Sequence, residues 1–136
     1  MDSLDPRSTV VSLFTYGTLM SGQRGQQLLA SSEFVETAAT IAQYTLLDMG
    51  WYPALCEGGT SRVIGEVFQV SLAQLKEIDE YEGCPGLYQR KAIELENGQS
   101  VLGYVLPRQN VGDGVVIADG DWRAYGARRD GHSPEG

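Results

Sequence analysis

Short runs of apolar residues, separated by glycine, proline and polar clusters, recur along the chain. This pattern is typical of a domain built mainly from short strands. The first run, residues 10–16, is rich in β-branched, aliphatic and aromatic side chains and stops abruptly at Gly17, which predicts a largely buried strand that ends in a glycine turn. Further strands are predicted at 33–47 (one or two strands), 62–70, 88–95 and 100–106. Residues 51–56 predict an edge strand or a rigid aromatic-lined wall, and residues 115–117 predict a short strand or a turn.

Two segments instead have helical spacing. Residues 24–30 predict a short helix, and residues 72–81 predict a second helix whose apolar positions recur every three residues. Ser71 and Gln74 fit a capping box at its start, and Gly83 is suited to end it. Gly65, within the predicted strand 62–70, indicates a bulge or a close backbone approach.

Short connections between strands favour antiparallel pairing, and the element order predicts an α+β fold, most simply a small closed or partly closed β-barrel with short helices packed outside. The chain of 136 residues has the length of one domain. We predict a flexible N-terminal tail at 1–9, a single domain at 10–126 and a flexible C-terminal tail at 127–136.

Charge and composition exclude several functional classes. Eighteen acidic against ten basic residues give a net charge of −8, which argues against nucleic acid or an anionic membrane surface as the main partner. No apolar run is long enough to span a membrane. We interpret Cys56 and Cys84 as reduced thiols and expect a cytoplasmic protein. His132, the single histidine, lies in the polar tail, so neither a histidine-dependent triad nor a histidine-ligated metal site is expected.

The end of the first strand is a candidate binding site. A strand that ends in a glycine turn presents backbone N–H groups that can hold an anion or a developing oxyanion, and Tyr16 would stand beside them. The alternative is that Gly17 forms an ordinary turn.

Glu82 is the candidate catalytic residue. It lies at the end of the helix predicted over 72–81, where the helix dipole disfavours a carboxylate, and an apolar pocket would favour the neutral acid further. Both effects raise the pKa toward the range of a general acid or base. The alternative is a solvated carboxylate at a helix end. Asp79 and Glu80 are interpreted as solvated residues of the helix surface.

Aromatic residues outside the first strand have two interpretations. Trp51 and Tyr52 form core or line a pocket, and Trp122 and Tyr125 either close one end of the barrel or extend an aromatic wall. Arg123 receives no role.

Several motifs, taken in order and with their spacing, resemble the γ-glutamylcyclotransferase-like family, which includes γ-glutamylamine cyclotransferases and the deprotecting cyclotransferase of butirosin biosynthesis. The resemblance extends over about residues 13–125. The motifs are Tyr16-Gly17-Thr18-Leu19, Trp51-Tyr52-Pro53-Ala54, Gly65-Glu66-Val67-Phe68, Ile78-Asp79-Glu80-Tyr81-Glu82-Gly83 and Tyr88-Gln89-Arg90.

The resemblance implies a small mixed β-barrel and an enzyme that forms 5-oxoproline. In such an enzyme the α-amine of a γ-glutamyl amide attacks its own γ-carbonyl and releases a free amine, without a cofactor or metal. Glu82 matches the general acid/base of the family. The backbone of Tyr16, Gly17, Thr18 and Leu19 matches the loop that holds the glutamyl group, and Tyr88 matches a tyrosine at the pocket border; Tyr52 is added as a substrate-binding residue.

Two alternatives remain at this stage. The same fold can serve as a non-catalytic small-molecule binding module, although such a module would not need a base at position 82. A protein-interaction domain would instead expose a large apolar patch. The sequence identifies neither the amine released nor the oligomeric state.

Overall fold

The structure is a computed structural model, and it describes residues 10–17, 32–50, 52–84, 86–112, 114–122 and 124–125. The helix predicted at 24–30 and both predicted tails, 1–9 and 127–136, lie outside these residues.

Five strands form the main sheet, in the order β2-β5-β1-β7-β6. Their pairing is antiparallel except between β1 and β7, which run parallel with Leu13 opposite Leu102. The mixed, mostly antiparallel pairing is therefore confirmed. The strands are β1 (Val10–Thr15), β2 (Glu33–Ala39), β5 (Ile64–Ser71), β6 (Gln89–Glu94) and β7 (Ser100–Val105).

A second, three-stranded sheet has the order β4-β3-β8 and is antiparallel throughout. It consists of β3 (Tyr44–Asp48), β4 (Pro53–Glu57) and β8 (Val115–Val116). Pro53 begins an edge strand, where its missing N–H costs no ladder hydrogen bond. The segment 33–47, for which one or two strands were predicted, therefore contains two strands that lie in different sheets.

The α+β class is confirmed, but the described strands do not close into a barrel. Three of the eight strands pair among themselves. The two edge strands of the main sheet, β2 and β6, approach each other at one end, where Thr40 and Leu95 form an isolated bridge. Closure would require a full ladder between these edges, and the described residues provide only this bridge and its flanking hydrogen bonds.

The helix α1 (Leu72–Tyr81) has the predicted bounds. The Ser71 side chain accepts from the backbone N–H of Gln74, and the Gln74 side chain accepts from the backbone N–H of Ser71, so the capping box is present. At the other end Gly83 has a φ of +67°, the left-handed conformation expected of a residue that ends a helix.

Apolar side chains alternate between the two faces of the main sheet. On one face Phe14 and Val67 pack in a cluster with Leu46 and Leu55 of the second sheet. On the other face Leu13 and Phe68 share a cluster with residues of α1, namely Leu75 and Ile78. The helix is thus held against the sheet by its buried apolar stripe.

Both cysteines are free thiols, as interpreted from the sequence, with Cys56 buried and Cys84 partly buried. Within the described ranges, no helix combines the length and the apolar character needed to cross a membrane.

Gly65 is explained by a close backbone approach, one of the two alternatives predicted. A Cβ at this position would lie 2.2 Å from the Thr15 carbonyl oxygen and 2.6 Å from the Phe14 ring.

We expect Gly65→Ala to lower the free energy of unfolding by about 1–3 kcal/mol, the usual cost of overpacking. Urea denaturation measures this change.

Gly86→Ala is the matched control, because the nearest atom to a Cβ there is 3.7 Å away and its φ is not in the left-handed region. We expect a change below about 0.5 kcal/mol for this variant. Equal losses for the two variants would contradict the explanation of Gly65.

Candidate active site

A cavity of about 180 Å³ opens where the end of β1, the start of β4 and the end of α1 meet. Most of its lining is aromatic or apolar, and Glu82 is the only carboxyl group among the described lining residues. These are Phe14, Thr15, Tyr16, Gly17, Tyr52, Pro53, Tyr81, Glu82, Leu87, Tyr88 and Tyr104.

Glu82 is the C-cap residue of α1, with φ −84° and ψ −1°. Its backbone N–H donates to the Ile78 carbonyl at 2.9 Å, so the residue still belongs to the last helical turn. Burial raises the pKa of its carboxyl from 4.5 to about 7. Near neutral pH the carboxyl group is therefore divided between its acid and base forms, as a group that both accepts and donates a proton should be.

The hydroxyl groups of Tyr16 and Tyr88 are occupied by the protein backbone. Tyr16 Oη donates to the Tyr104 carbonyl at 2.7 Å and accepts from the Leu55 N–H at 3.3 Å. Tyr88 Oη donates to the Pro53 carbonyl at 2.6 Å. Burial, and in addition the nearby Glu82 carboxylate, raises the pKa of both phenols. Both tyrosines are therefore uncharged, and their hydrogen bonds to Leu55 and Pro53 hold β4 at the edge of the cavity.

Gly17 lies against Pro53. A Cβ at position 17 would be 2.2 Å from Pro53 Cγ, so only glycine allows this approach. The requirement for glycine therefore arises, in the described structure, from packing between the end of β1 and the start of β4.

The cavity brings together five of the seven residues predicted for the site, which are Tyr16, Gly17, Tyr52, Glu82 and Tyr88. Tyr52 also contacts Tyr88 edge to face, with ring centroids 6.2 Å apart. The other two, Thr18 and Leu19, lie outside the described residues, as do Trp51 and Arg123. The roles assigned to all seven remain predictions.

Trp122 and Tyr125 are not part of the cavity lining. Their rings stack with centroids 6.0 Å apart, Trp122 is buried in the cluster between the two sheets, and Tyr125 Oη donates to Asp48 Oδ2 at 2.7 Å. The structure thus favours the interpretation in which these two residues close one end of the core.

Two residues near the site were missed or misinterpreted. Tyr104 lies near the end of β7, and strand alternation alone does not distinguish a cavity-lining residue from a core residue. Asp79 was interpreted as a solvated surface residue, which is wrong because it accepts from Tyr104 Oη at 2.6 Å and pairs with Arg90. The same interpretation is correct for Glu80, which is exposed.

The lining restricts the chemistry that the site can perform. Among the described lining residues there is no serine, cysteine, histidine, lysine or arginine. Within the same described ranges no three histidine, cysteine, aspartate or glutamate side chains lie close enough to hold a metal ion. The arrangement is that of a small α+β domain with one carboxyl group in an aromatic cavity.

Comparison with known proteins assigns the chain to a family. The family model described as gamma-glutamyl cyclotransferase, AIG2-like, matches residues 13–124. The chain therefore belongs to that enzyme family.

Individual relatives support this family assignment. A Vibrio cholerae protein provisionally named a gamma-glutamylcyclotransferase is 34% identical over 110 residues, which are 81% of this chain and 93% of that protein. The gamma-glutamylaminecyclotransferase A of Danio rerio is 33% identical over 108 residues, 70% of this chain and 67% of that protein. The crystal structure of c4763, a uropathogenic E. coli-specific protein, superposes with a TM-score of 0.76 at 28% identity, covering 92% of this chain and 98% of that one.

The raised pKa of Glu82 has a consequence for stability. Between pH 4.5 and about 7 the folded protein holds a proton that the unfolded chain has lost, so this group makes stability fall as the pH rises through that window. We expect Glu82→Gln to raise the free energy of unfolding at pH 8 by up to about 3 kcal/mol, and by much less at pH 5. Denaturation at the two pH values measures the difference.

The exposed neighbour on the same helix provides the control, Glu80→Gln. This variant should change the free energy of unfolding by a similar small amount at both pH values, because ionisation of an exposed carboxyl group costs the folded protein little free energy. A gain for Glu82→Gln that is the same at pH 5 and pH 8 would contradict the assignment of the buried charge.

Proposed function

We propose that this protein is a γ-glutamyl-amide cyclotransferase in which Glu82 is the general acid/base. The observation that carries the proposal is a single carboxyl group, with a pKa near 7, in a cavity whose described lining contains no serine, cysteine, histidine or lysine. Such a site suits a reaction whose nucleophile belongs to the substrate.

The proposed reaction is an intramolecular acyl transfer. Ionised Glu82 takes a proton from the substrate's α-ammonium group, and the free amine attacks the γ-carbonyl carbon. A C–N bond forms to close the five-membered ring, and the bond between the γ-carbonyl carbon and the amide nitrogen breaks. Protonated Glu82 returns that proton to the departing nitrogen and, ionised again, takes the second proton of the attacking nitrogen and passes it to the released amine or to solvent. The products are therefore 5-oxoproline and a free amine, which is protonated at neutral pH.

Orientation and charge stabilisation are assigned to the wall of the cavity. The backbone at Tyr16 and Gly17, with Thr18 and Leu19 as the family resemblance implies, is proposed to hold the glutamyl group and the oxyanion. The rings of Tyr52 and Tyr88 are proposed to confine the substrate so that its amine lies close to its own carbonyl. Such proximity lowers a barrier by as much as about 7–11 kcal/mol.

The first test is release of 5-oxoproline from a panel of γ-glutamyl amides, including γ-glutamyl amino acids, ε-(γ-glutamyl)-lysine and a γ-glutamyl alkylamide. We expect the wild type to turn over at least one of them, and Glu82→Gln to lose about 10²–10⁴-fold in kcat, the usual contribution of a general acid/base. Glu80→Gln, which removes an exposed carboxylate from the same helix, should retain wild-type kcat.

The outcomes separate the proposal from the binding-module alternative. A binding module would bind panel members, seen by calorimetry, without releasing 5-oxoproline. Turnover that is equal in wild type and Glu82→Gln would leave the activity in place and remove Glu82 from the mechanism.

The pH dependence provides an independent test. Because Glu82 must be ionised in the free enzyme, kcat/KM should fall about tenfold for each pH unit below an inflection near pH 7. The measurement is a pH profile of kcat/KM with the best panel substrate, whose own α-amine is titrated separately. An inflection near pH 4.5 would show instead that the working carboxyl group is solvated.

A further inference from the structure

We propose that Asp79 is a positioning residue for Glu82: held by Tyr104 and Arg90, its carboxylate fixes the last turn of α1 against the main sheet. This inference rests on the proposed role of Glu82 and adds to it the device that sets where the Glu82 carboxyl group lies.

Both carboxylate oxygens of Asp79 are engaged by the sheet. Oδ1 accepts from Tyr104 Oη of β7 at 2.6 Å, and Oδ2 forms an ion pair with Arg90 Nη1 of the neighbouring strand β6. Because the two donors come from adjacent strands, they fix the position and the rotation of the Asp79 side chain together. A single contact would leave the side chain free to rotate.

The backbone of Asp79 transmits this constraint to Glu82. The Asp79 carbonyl accepts from the Cys84 N–H at 2.9 Å, and the Glu80 carbonyl accepts from the Gly83 N–H at 3.1 Å. With Gly83 at positive φ, these two bonds form a Schellman motif that encloses Glu82. Glu82 therefore lies in a closed turn whose first residue is attached to the sheet.

Tyr104 connects the Asp79 contact with the cavity. Tyr104 lines the same cavity as Glu82, its hydroxyl donates to Asp79, and its carbonyl accepts from Tyr16 Oη. One residue thus contacts the group that anchors the helix end and the tyrosine at the end of β1. Loss of the Asp79 contact would let Glu82 shift relative to Tyr16 and Gly17.

Stability alone is a weak explanation for the ion pair. The side chains of Arg90 and Asp79 are 34% and 25% exposed, and a partly solvated pair of this kind contributes little to the free energy of folding. A misplacement of about 1 Å at a reacting centre, in contrast, can cost as much as about 100-fold in rate.

The test compares Tyr104→Phe and Asp79→Asn with wild type in the 5-oxoproline assay. Tyr104→Phe keeps the ring in the cavity wall and removes only the hydroxyl group that holds Asp79. For both variants we expect kcat to fall about tenfold or more while KM stays within about twofold, because the lost constraint acts on the reacting geometry and not on uniform binding. Glu96→Gln breaks the exposed Arg62–Glu96 pair, away from the cavity, and should leave kcat and KM unchanged.

Each outcome decides the matter. Values of kcat within twofold of wild type for both variants, a rise in KM with constant kcat, or an equal loss of kcat in Glu96→Gln would overturn the inference. Melting temperatures are measured alongside, and if Tyr104→Phe fails to fold, Asp79→Asn decides by the same criteria.

Failure of the proposed function gives a different result. If wild type releases 5-oxoproline from no substrate, that function is wrong, and the anchor is then judged without substrate from hydrogen exchange at the Cys84 amide. Faster exchange in Tyr104→Phe than in wild type supports an anchored turn, and an unchanged rate overturns it.

Discussion

The buried hydroxyl group of Tyr16 is the interaction on which the arrangement of the site depends. It donates to the Tyr104 carbonyl in the main sheet and accepts from the Leu55 N–H in the second sheet. Tyr88 makes a similar bond to Pro53, at the start of the same strand as Leu55. Without these bonds, backbone groups at the junction of the two sheets would be buried without partners, at a cost of about 1–3 kcal/mol each. The cavity therefore lies where the two sheets meet, next to the hydrogen bonds that Tyr16 and Tyr88 make to the backbone.

The junction also explains why the pKa of the Glu82 carboxyl group is raised. Tyr16 and Tyr88 supply aromatic surface to the cavity, but their hydroxyl groups are occupied by backbone carbonyls, so neither is a described hydrogen-bond donor to Glu82. The cations Arg62 and Arg90 are each paired with another carboxylate. Burial thus raises the pKa of Glu82 without compensation by a described cation, and an ionised Glu82 lowers the stability of the fold at neutral pH.

The sequence predicted those features that depend on local physical chemistry. The bounds of α1, its capping box and its stop at Gly83 follow from interactions between residues only a few positions apart in the chain. The separation of the strands into two sheets did not follow, because alternation shows which side chains share a face and not which strand lies alongside. The position of Asp79 was misinterpreted for the same reason, since its partners Arg90 and Tyr104 are 11 and 25 residues away. Membership of the family was indicated by the order of several motifs, each weak alone, and the family comparison confirms it.

Fold and chemistry contribute separately to the proposed activity. A reaction in which the substrate supplies its own nucleophile asks the protein for confinement, for hydrogen-bond donors and for one proton carrier, and these needs can be met by a small cavity with a single ionisable carboxyl group. In the proposed reaction the strands supply the confinement and the end of α1 supplies the proton carrier. Precision in such a site depends on how firmly that helix end is attached, because the Glu82 side chain extends from the last turn of a helix that begins ten residues earlier. We propose that the contacts of Asp79 with two strands meet this requirement, in addition to the buried side chains that hold the helix on the sheet.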